Sequence, residues 1–194
     1  AGALSLSGCA TDDAAENPDN PTDTGAVDNT GPQRMAADGF EEGKYTRRDL
    51  DLNADGRADA YQFSFIQDDK RVVVRKEVDV DFDGKIELIR SFTEQGDLLE
   101  ERLDTDFDGR IDVVNFFEKG KIIRKEYDTN FDSNVDVWRY FRDGVIDRKE
   151  ADLDHDGRKD YWEYYEQGKI DRVGVDRDGD GEVDEWEVAN RGEG

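Results

Sequence analysis

The stretch Asp104-Thr105-Asp106-Phe107-Asp108-Gly109-Arg110-Ile111-Asp112 decides how the whole chain is interpreted. Acidic side chains occupy its positions 1, 3, 5 and 9, and a glycine occupies position 6. Glycine allows the sharp turn that would bring these oxygen atoms to one point. Such an oxygen cluster suits a hard divalent cation. Calcium fits best, because it accepts about six to eight oxygens in loose geometry, whereas magnesium prefers a tight octahedron.

The same pattern occurs six times, and the starts of successive copies are 28, 25, 24, 24 and 24 residues apart. One copy alone would also fit a solvated acidic turn. Six copies at a near-constant period indicate a repeat array instead. We number these nine-residue stretches loops 1 to 6, in the order Asp51–Asp59, Asp79–Glu87, Asp104–Asp112, Asp128–Asp136, Asp152–Asp160 and Asp176–Asp184.

The distribution of charge supports this interpretation. The formal net charge is -24, from 51 acidic and 27 basic residues, and 22 of the acids lie at positions 1, 3, 5 and 9 of the loops. The remaining 29 acids nearly balance the 27 bases, so the excess negative charge is concentrated where cations would bind. About six bound calcium ions would halve the net charge. The acidic chain has no basic stripe for phosphates, so we expect no nucleic-acid partner.

The composition favours a shallow, repeated core. Hydrophobic residues make up 35% of the chain, yet it contains 7 Tyr, 10 Phe and 3 Trp. This combination indicates limited burial in each of many repeats rather than one deep core. With a single cysteine the chain cannot form an internal disulfide, so we expect bound metal to provide any cross-link that the fold needs.

The segments between the loops have the pattern of β-hairpins. Aromatic and β-branched residues alternate after each loop, as in 137–141, and a second run such as 122–127 leads into the next loop. Between the two runs lies an x-Gly pair, which is typical of a two-residue hairpin turn. The sequence therefore predicts an all-β fold. It would be an antiparallel meander of hairpin repeats or a β-solenoid, with the calcium loops stacked along one edge.

A helical alternative fits the sequence less well. A period of 24 residues cannot hold the two helices of an EF-hand, although it could hold one helix after each loop. The mid-segment glycines and the β-branched runs disfavour that helix. An EF-hand loop also needs a bidentate Glu at position 12. Only Glu163 and Glu187 meet this requirement, whereas position 9 is acidic in all six loops.

The loops resemble the D-x-D-x-D-G-x-x-D calcium loops found between strands in integrin α-subunit propeller blades and in many bacterial surface proteins. The resemblance implies that the side chains at positions 1, 3, 5 and 9, together with the carbonyl at position 7, are ligands. The implied side-chain ligands are Asp51, Asn53, Asp55 and Asp59; Asp79, Asp81, Asp83 and Glu87; Asp104, Asp106, Asp108 and Asp112; Asp128, Asn130, Asp132 and Asp136; Asp152, Asp154, Asp156 and Asp160; and Asp176, Asp178, Asp180 and Asp184.

Two loops depart from that pattern. Loop 2 has Glu87 at position 9, where the other five loops have Asp. Loop 4 has Asn130 at position 3 and Ser133 in place of the glycine. Because it lacks one negative charge and the freedom of glycine at the turn, we expect loop 4 to bind calcium most weakly.

The N-terminal residues resemble those of a bacterial lipoprotein. The stretch Leu6-Ser7-Gly8-Cys9 matches a lipobox, in which cleavage before the cysteine leaves it to carry lipid. Residues 10–39 are rich in Asp, Asn, Thr, Ala and Gly and contain all three prolines, a composition typical of disorder. We therefore expect a partial signal segment at 1–8, a disordered acidic tether at 9–39 and a six-repeat β domain at 40–194. The implied location is the cell envelope, either the outer membrane or the cell surface.

Catalysis has little support, because one histidine and no glycine-rich phosphate loop leave few nucleophile–base pairs. His155 occupies the loop position at which Phe recurs, and we expect it to be an exposed variant of that residue.

The expected role is a structural, adhesion or matrix function stabilised by calcium, without enzymatic activity. The alternative is a calcium-responsive module for a protein or glycan partner. A row formed by Trp138, Trp162 and Trp186 could serve as a sugar platform or as a hydrophobic ladder. Self-assembly through open strand edges also remains open.

Overall fold

The computed structural model describes residues 40–189. It is all-β: twelve antiparallel strands form one sheet, in which the strand order follows the chain order. This architecture confirms the predicted fold class in its meander form. The strands are β1 (Thr46–Leu50), β2 (Ala60–Gln67), β3 (Lys70–Val78), β4 (Leu88–Phe92), β5 (Leu98–Leu103), β6 (Val113–Glu118), β7 (Lys121–Tyr127), β8 (Val137–Arg142), β9 (Val145–Ala151), β10 (Tyr161–Glu166), β11 (Lys169–Val175) and β12 (Glu185–Val188).

Two kinds of connection alternate along the sheet. Even-numbered strands lead into odd-numbered ones through short turns, whereas odd-numbered strands lead into even-numbered ones through loops 1 to 6. In the turn between β8 and β9, Asp143 and Gly144 have φ angles of 53° and 83°. Positive φ at both central residues is the geometry that two-residue hairpin turns require. Because neighbouring strands run in opposite directions, all six loops lie along the same edge of the sheet, as the sequence predicted.

A β-bulge recurs in every hairpin that is closed by a short turn. The pairing shifts by one residue at equivalent points of the five even-numbered strands from β2 to β10. Such bulges increase the local right-handed twist. The sequence carries no obvious sign of them, because the bulged positions hold residues as different as Val74, Leu99 and Asp147.

A compact hydrophobic core exists only near the N-terminal end of the sheet. Tyr61, Phe63, Val74, Ile86 and Ile89 form it, with partly buried neighbours around them. One neighbour precedes β1: the Phe40 ring lies 5.1 Å from that of Phe63, in an edge-to-face arrangement. The segment before β1 therefore folds over a face of the sheet.

The later repeats stabilise the same face by stacking cations on aromatic rings. Arg124 lies opposite Phe116 in the register, with its guanidinium carbon 4.1 Å from the ring centre. The pair Arg148 and Tyr140 repeats this contact at 4.0 Å one hairpin further on. Each such contact contributes about 0.5–1 kcal/mol at an exposed site. Shallow, repeated packing therefore replaces a deep core, as the composition indicated.

Some sequence-based expectations fall outside the described residues. Cys9, the segment 1–8 and the tether at 9–39 all precede residue 40, so the lipid anchor and the domain boundaries stay predictions. Within residues 40–189, no helix is long and apolar enough to cross a membrane.

Candidate metal centre

Each loop folds around its own acidic side chains. In loop 3, the amide groups of Phe107 and Gly109 donate hydrogen bonds of 2.7 Å to the two carboxylate oxygens of Asp104. The carboxylate of Asp112 accepts a hydrogen bond of 2.6 Å from the amide group of Thr105. Position 1 thus organises the middle of the loop, and position 9 closes it. Two of these hydrogen bonds recur in all six loops. In one, the amide group of position 6 donates to the carboxylate of position 1, and in the other, the amide group of position 2 donates to the carboxylate of position 9.

Two positions of every loop adopt left-handed backbone conformations. Position 6 has φ angles from 76° to 98°, which explains the glycine found there in five loops. Position 4 also has positive φ, including 66° at Phe82 and at Phe107, where a bulky residue is strained. This strain could not be predicted from the sequence, because position 4 shows no preference for glycine. The Phe side chains at this position are exposed.

Neighbouring loops are joined through their first and last acidic residues. The amide group of Asp104 donates to the carbonyl of Glu87 at 2.9 Å, and the amide group of Asp128 donates to that of Asp112 at 2.7 Å. The same bond links all five pairs of adjacent loops. These links place buried carboxylates in a row along the loop edge, where uncompensated negative charge is costly. The buried acids of the row are Asp59, Asp79, Glu87, Asp104, Asp112, Asp128, Asp136, Asp152 and Asp176.

Four loops bring their carboxylates close enough to hold a metal ion. In each of them, one oxygen atom from every acid of the group lies within 4.8 Å of the others. Loop 2 contributes four acids and loops 3, 5 and 6 contribute three each, an arrangement compatible with calcium loops. The groups are Asp79, Asp81, Asp83 and Glu87; Asp104, Asp106 and Asp108; Asp152, Asp154 and Asp160; and Asp176, Asp178 and Asp184.

The side chain of Glu87 shows most directly that a cation fits loop 2. Glu87 is only 3% exposed, and its Oε2 atom accepts a hydrogen bond of 2.7 Å from the amide group of Val80. Its Oε1 atom is buried without a hydrogen-bond partner. Burial raises the pKa of Glu87, and the nearby charges of Asp79, Asp81 and Asp83 raise it further. A bound cation would offset both the burial and the repulsion.

Loops 1 and 4 are not among the four groups, and both have Asn at position 3. In loop 4, the Nδ2 atom of Asn130 donates to Asp132 at 3.1 Å, and in loop 1 the Nδ2 atom of Asn53 donates to Asp55 at 3.2 Å. In loops 1 and 4 an amide donor thus takes up part of the position 5 carboxylate, whereas in loop 3 the guanidinium group of Arg110 bonds to Asp108 at that position. Of the 24 implied ligands, the structure therefore brings 13 into candidate groups.

The last acid of loop 4 is satisfied by the protein itself. The Oδ2 atom of Asp136 accepts hydrogen bonds of 2.7 Å from the amide and the hydroxyl groups of Thr129. Its Oδ1 atom lies 2.9 Å from the Nδ1 atom of His155, which belongs to loop 5. Burial alone would raise the pKa of Asp136, but the hydrogen bonds from His155 and Thr129 lower it overall. His155 therefore contacts a neighbouring loop, a role that its position in the sequence did not reveal.

Basic side chains at position 7 bridge successive loops. The Nζ atom of Lys85 in loop 2 donates to the carbonyl of Phe107 in loop 3 at 2.9 Å. Arg158 in loop 5 donates in the same way to the carbonyl of Gly179 in loop 6 at 2.6 Å. Loop 4 has Asn134 at this position, and His155 links loops 4 and 5 from the other side.

Comparison with known proteins identifies no family. No family model matches the chain, and no curated protein matches it. A solved structure of accessory secretory protein 1, 2 and 3 from Streptococcus pneumoniae is similar over 48% of this chain, with 19% identity and a TM-score of 0.35. The match spans 18% of that chain.

Proposed function

We propose that the protein is a calcium-stabilised extracellular lipoprotein with a structural, adhesion or matrix role. The observation that carries the proposal is the convergence of four carboxylates in loop 2, one of which, Glu87, has a buried Oε1 atom without a hydrogen-bond partner. The other buried acids of the row add to the demand for positive charge along the loop edge, except Asp136, whose two oxygens have protein partners. About six calcium ions, one in each loop, would meet it.

Calcium is the metal that this donor set favours. The loops offer carboxylate and carbonyl oxygens and no thiolate, which suits a hard cation. Magnesium dehydrates reluctantly and requires near-ideal octahedral geometry.

A structural role agrees better with the packing than an enzymatic one. Most of the acids that could act in catalysis lie in the loops, and the histidine of the described region is bound to Asp136. The hydrophobic core is small, so a chain of this length has little apolar burial with which to offset crowded carboxylates. Calcium would supply the missing stability.

The second candidate is a calcium-responsive module that binds a protein or a glycan. The three tryptophans at equivalent positions favour this candidate only in part. Trp186 is 47% exposed, but Trp162 is 9% exposed, and the Nζ atom of Lys159 lies 4.8 Å from the ring centre of Trp138. The ring of Trp186 also packs, with its centre 5.7 Å from that of Tyr164. All three rings thus make packing contacts, which is the arrangement of a hydrophobic ladder rather than of an open sugar platform.

The location belongs to the same proposal. The lipobox at Leu6–Cys9 would place a lipid on Cys9 and hold the β domain at the outer membrane or the cell surface. Mass spectrometry of the N-terminal peptide, comparing the wild type with Cys9→Ser, tests this anchor. Acylation that is lost in the variant would support it, and an unmodified wild-type peptide in the soluble fraction would contradict it.

A calorimetric titration of the full chain with calcium, and separately with magnesium, tests the metal assignment. Calcium should bind with a stoichiometry near six, and magnesium should give little heat. Dissociation constants of about 10⁻⁴–10⁻³ M support a permanent structural role outside the cell, and values of about 10⁻⁷–10⁻⁵ M support the responsive module. If no calcium binds, the proposed function is wrong.

A further inference from the structure

The outer edges of β1 and β12 are unpaired among residues 40–189. Each of these strands has a neighbour on one side only, β2 and β11 respectively. Within the described residues, Phe40 before β1 packs on Phe63 in β2, on a face of the sheet rather than at its edge. A row of free backbone donors and acceptors is therefore available at both ends of the sheet.

The outermost loops are also incomplete compared with the inner ones. Asp51, the first acid of loop 1, is exposed, whereas the first acids of loops 2 to 6 are buried. Asp184, the last acid of loop 6, is likewise exposed, whereas Asp136 at the same position of loop 4 is 1% exposed. The difference arises because a neighbouring loop covers each inner acid and bonds to its backbone. In the part of the chain that the structure describes, no loop precedes loop 1 and none follows loop 6.

We infer that β12 of one copy pairs with β1 of a second copy and continues the meander from chain to chain. The repeat itself gives the register. Within the chain, the first residue after a loop lies opposite the last residue before the next loop, as Tyr161 lies opposite Val175. Applied across two copies, this register places Glu185 opposite Leu50 and Glu187 opposite Arg48.

The charges of the two edges select this pairing over the alternatives. Strand β1 carries Arg47, Arg48 and Asp49, so it has a net positive charge, whereas β12 carries Glu185 and Glu187 and no basic residue. Pairing β12 with a second β12 would bring glutamates together, and pairing β1 with a second β1 would bring arginines together. Like charges directly opposite each other destabilise a strand pair, and opposite charges stabilise it. Head-to-tail contact is therefore the complementary one.

Such a contact joins two different surfaces and does not close on itself, so it builds open chains of molecules rather than a fixed dimer. Each junction involves a strand of four residues, and the net charge of -24 opposes association. Association should therefore appear at high protein concentration. Association would place a neighbouring loop beside loop 1 of one copy and loop 6 of the other. This inference goes beyond the metal-binding proposal.

Sedimentation velocity of the full chain, over a wide range of concentration in calcium buffer, tests the inference. The wild type should form oligomers that grow in number as concentration rises. Glu187→Lys and Arg48→Glu should each remain monomeric, because each places like charges opposite one another. The double variant, which exchanges the charges, should regain assembly. Circular dichroism melts of all four proteins confirm that each is folded, since both side chains are exposed.

The inference would be overturned by a wild type that stays monomeric at every concentration, by single variants that assemble like the wild type, or by a folded double variant that stays monomeric. A closed dimer that does not grow would also overturn it, because it would indicate pairing of like edges. Titration calorimetry on the same samples reports calcium binding separately, so failure of the metal proposal remains distinguishable from failure of assembly.

Discussion

Loops 2 and 4 share one nine-residue pattern and differ in what satisfies their last acid. In loop 2, the Oε1 atom of Glu87 is buried and has no hydrogen-bond partner. In loop 4, both oxygens of Asp136 have protein partners, one of them the imidazole of His155. The pKa of Glu87 is raised, mainly by burial, whereas hydrogen bonds lower that of Asp136 against the effect of burial. A motif therefore indicates where a cation can bind, and the contacts of its acids indicate how much the fold needs one.

Removal of calcium should change the stability of the protein more than any single substitution. A site held at ten times its dissociation constant gains about 1.4 kcal/mol, so six such sites supply about 8 kcal/mol, against about 5–15 kcal/mol for an ordinary domain. Chelation should therefore lower the thermal midpoint strongly in far-ultraviolet circular dichroism, and magnesium should restore little of it.

Hydrogen exchange with and without chelator shows which strands lose stability when calcium is removed. In chelator, amides of β4 should lose more protection than amides of β8, because the Oε1 atom of Glu87 in loop 2 has no hydrogen-bond partner, whereas the Oδ1 atom of Asp136 in loop 4 has His155. Identical melting curves with calcium, magnesium and chelator would show that the sites are not structural. Equal loss of protection in both strands would remove the distinction between the loops.

Substitution of the last acid in each loop should have the next largest effect. Glu87→Gln keeps an oxygen for the amide group of Val80 but removes the charge, so calcium binding in loop 2 should weaken by about tenfold or more. The matched control is Asp136→Asn, which should change total calcium binding less, because loop 4 contributes less. Calorimetric titration of both variants measures the difference. A larger loss in the loop 4 variant would reverse the ranking.

The turn residue gives a smaller, reciprocal test. Ser133 is held at a φ of 76°, where a side chain costs about 1 kcal/mol relative to glycine, and Gly84 holds the equivalent place in loop 2 at 98°. Ser133→Gly should tighten calcium in loop 4 and raise the melting temperature, and Gly84→Ser should do the opposite in loop 2. Calcium titrations and melts of both proteins decide it. If Ser133→Gly leaves binding unchanged, turn strain is not what weakens loop 4.

The smallest effect is expected at His155. His155→Phe installs the residue that loops 2, 3 and 4 carry at the same loop position, so the backbone conformation is already tolerated there. Without the imidazole, the Oδ1 atom of Asp136 becomes available to a cation. The variant should melt slightly earlier in chelator and bind calcium slightly more tightly in loop 4. A weaker calcium affinity would identify His155 as a support of the site rather than a competitor.

Much of this architecture could be predicted from the sequence, because its determinants are local. Each strand is marked by alternating residue types and each short turn by an x-Gly pair, and both signals span only a few residues. Together with the spacing of the loops, they predicted the meander and the edge of the sheet along which the loops lie. Position 6 was predicted correctly as a turn that favours glycine.

The remainder depends on contacts between repeats. The positive φ at Phe107 is set by the geometry of the folded loop. The hydrogen bond from Lys85 to the carbonyl of Phe107 and the bond between His155 and Asp136 join residues of different repeats, which are distant in sequence. The burial of the first and last acids likewise follows from the stacking of adjacent loops. No single repeat carries that information.

The serial order of the strands has a mechanical consequence. Because every strand pairs only with its neighbours in the chain, β1 and β12 lie at opposite ends of the sheet, about 50 Å apart at the usual strand spacing. A pulling force applied through the two ends of the chain therefore loads the strand pairs in series and opens their backbone bonds one after another. Each 24-residue repeat would release about 80 Å of chain. Single-molecule extension should show a train of similar steps, with bound cations setting the force of each step, and one abrupt release would contradict this. A protein built in this way absorbs strain by lengthening in increments and recovers its length when the load is withdrawn.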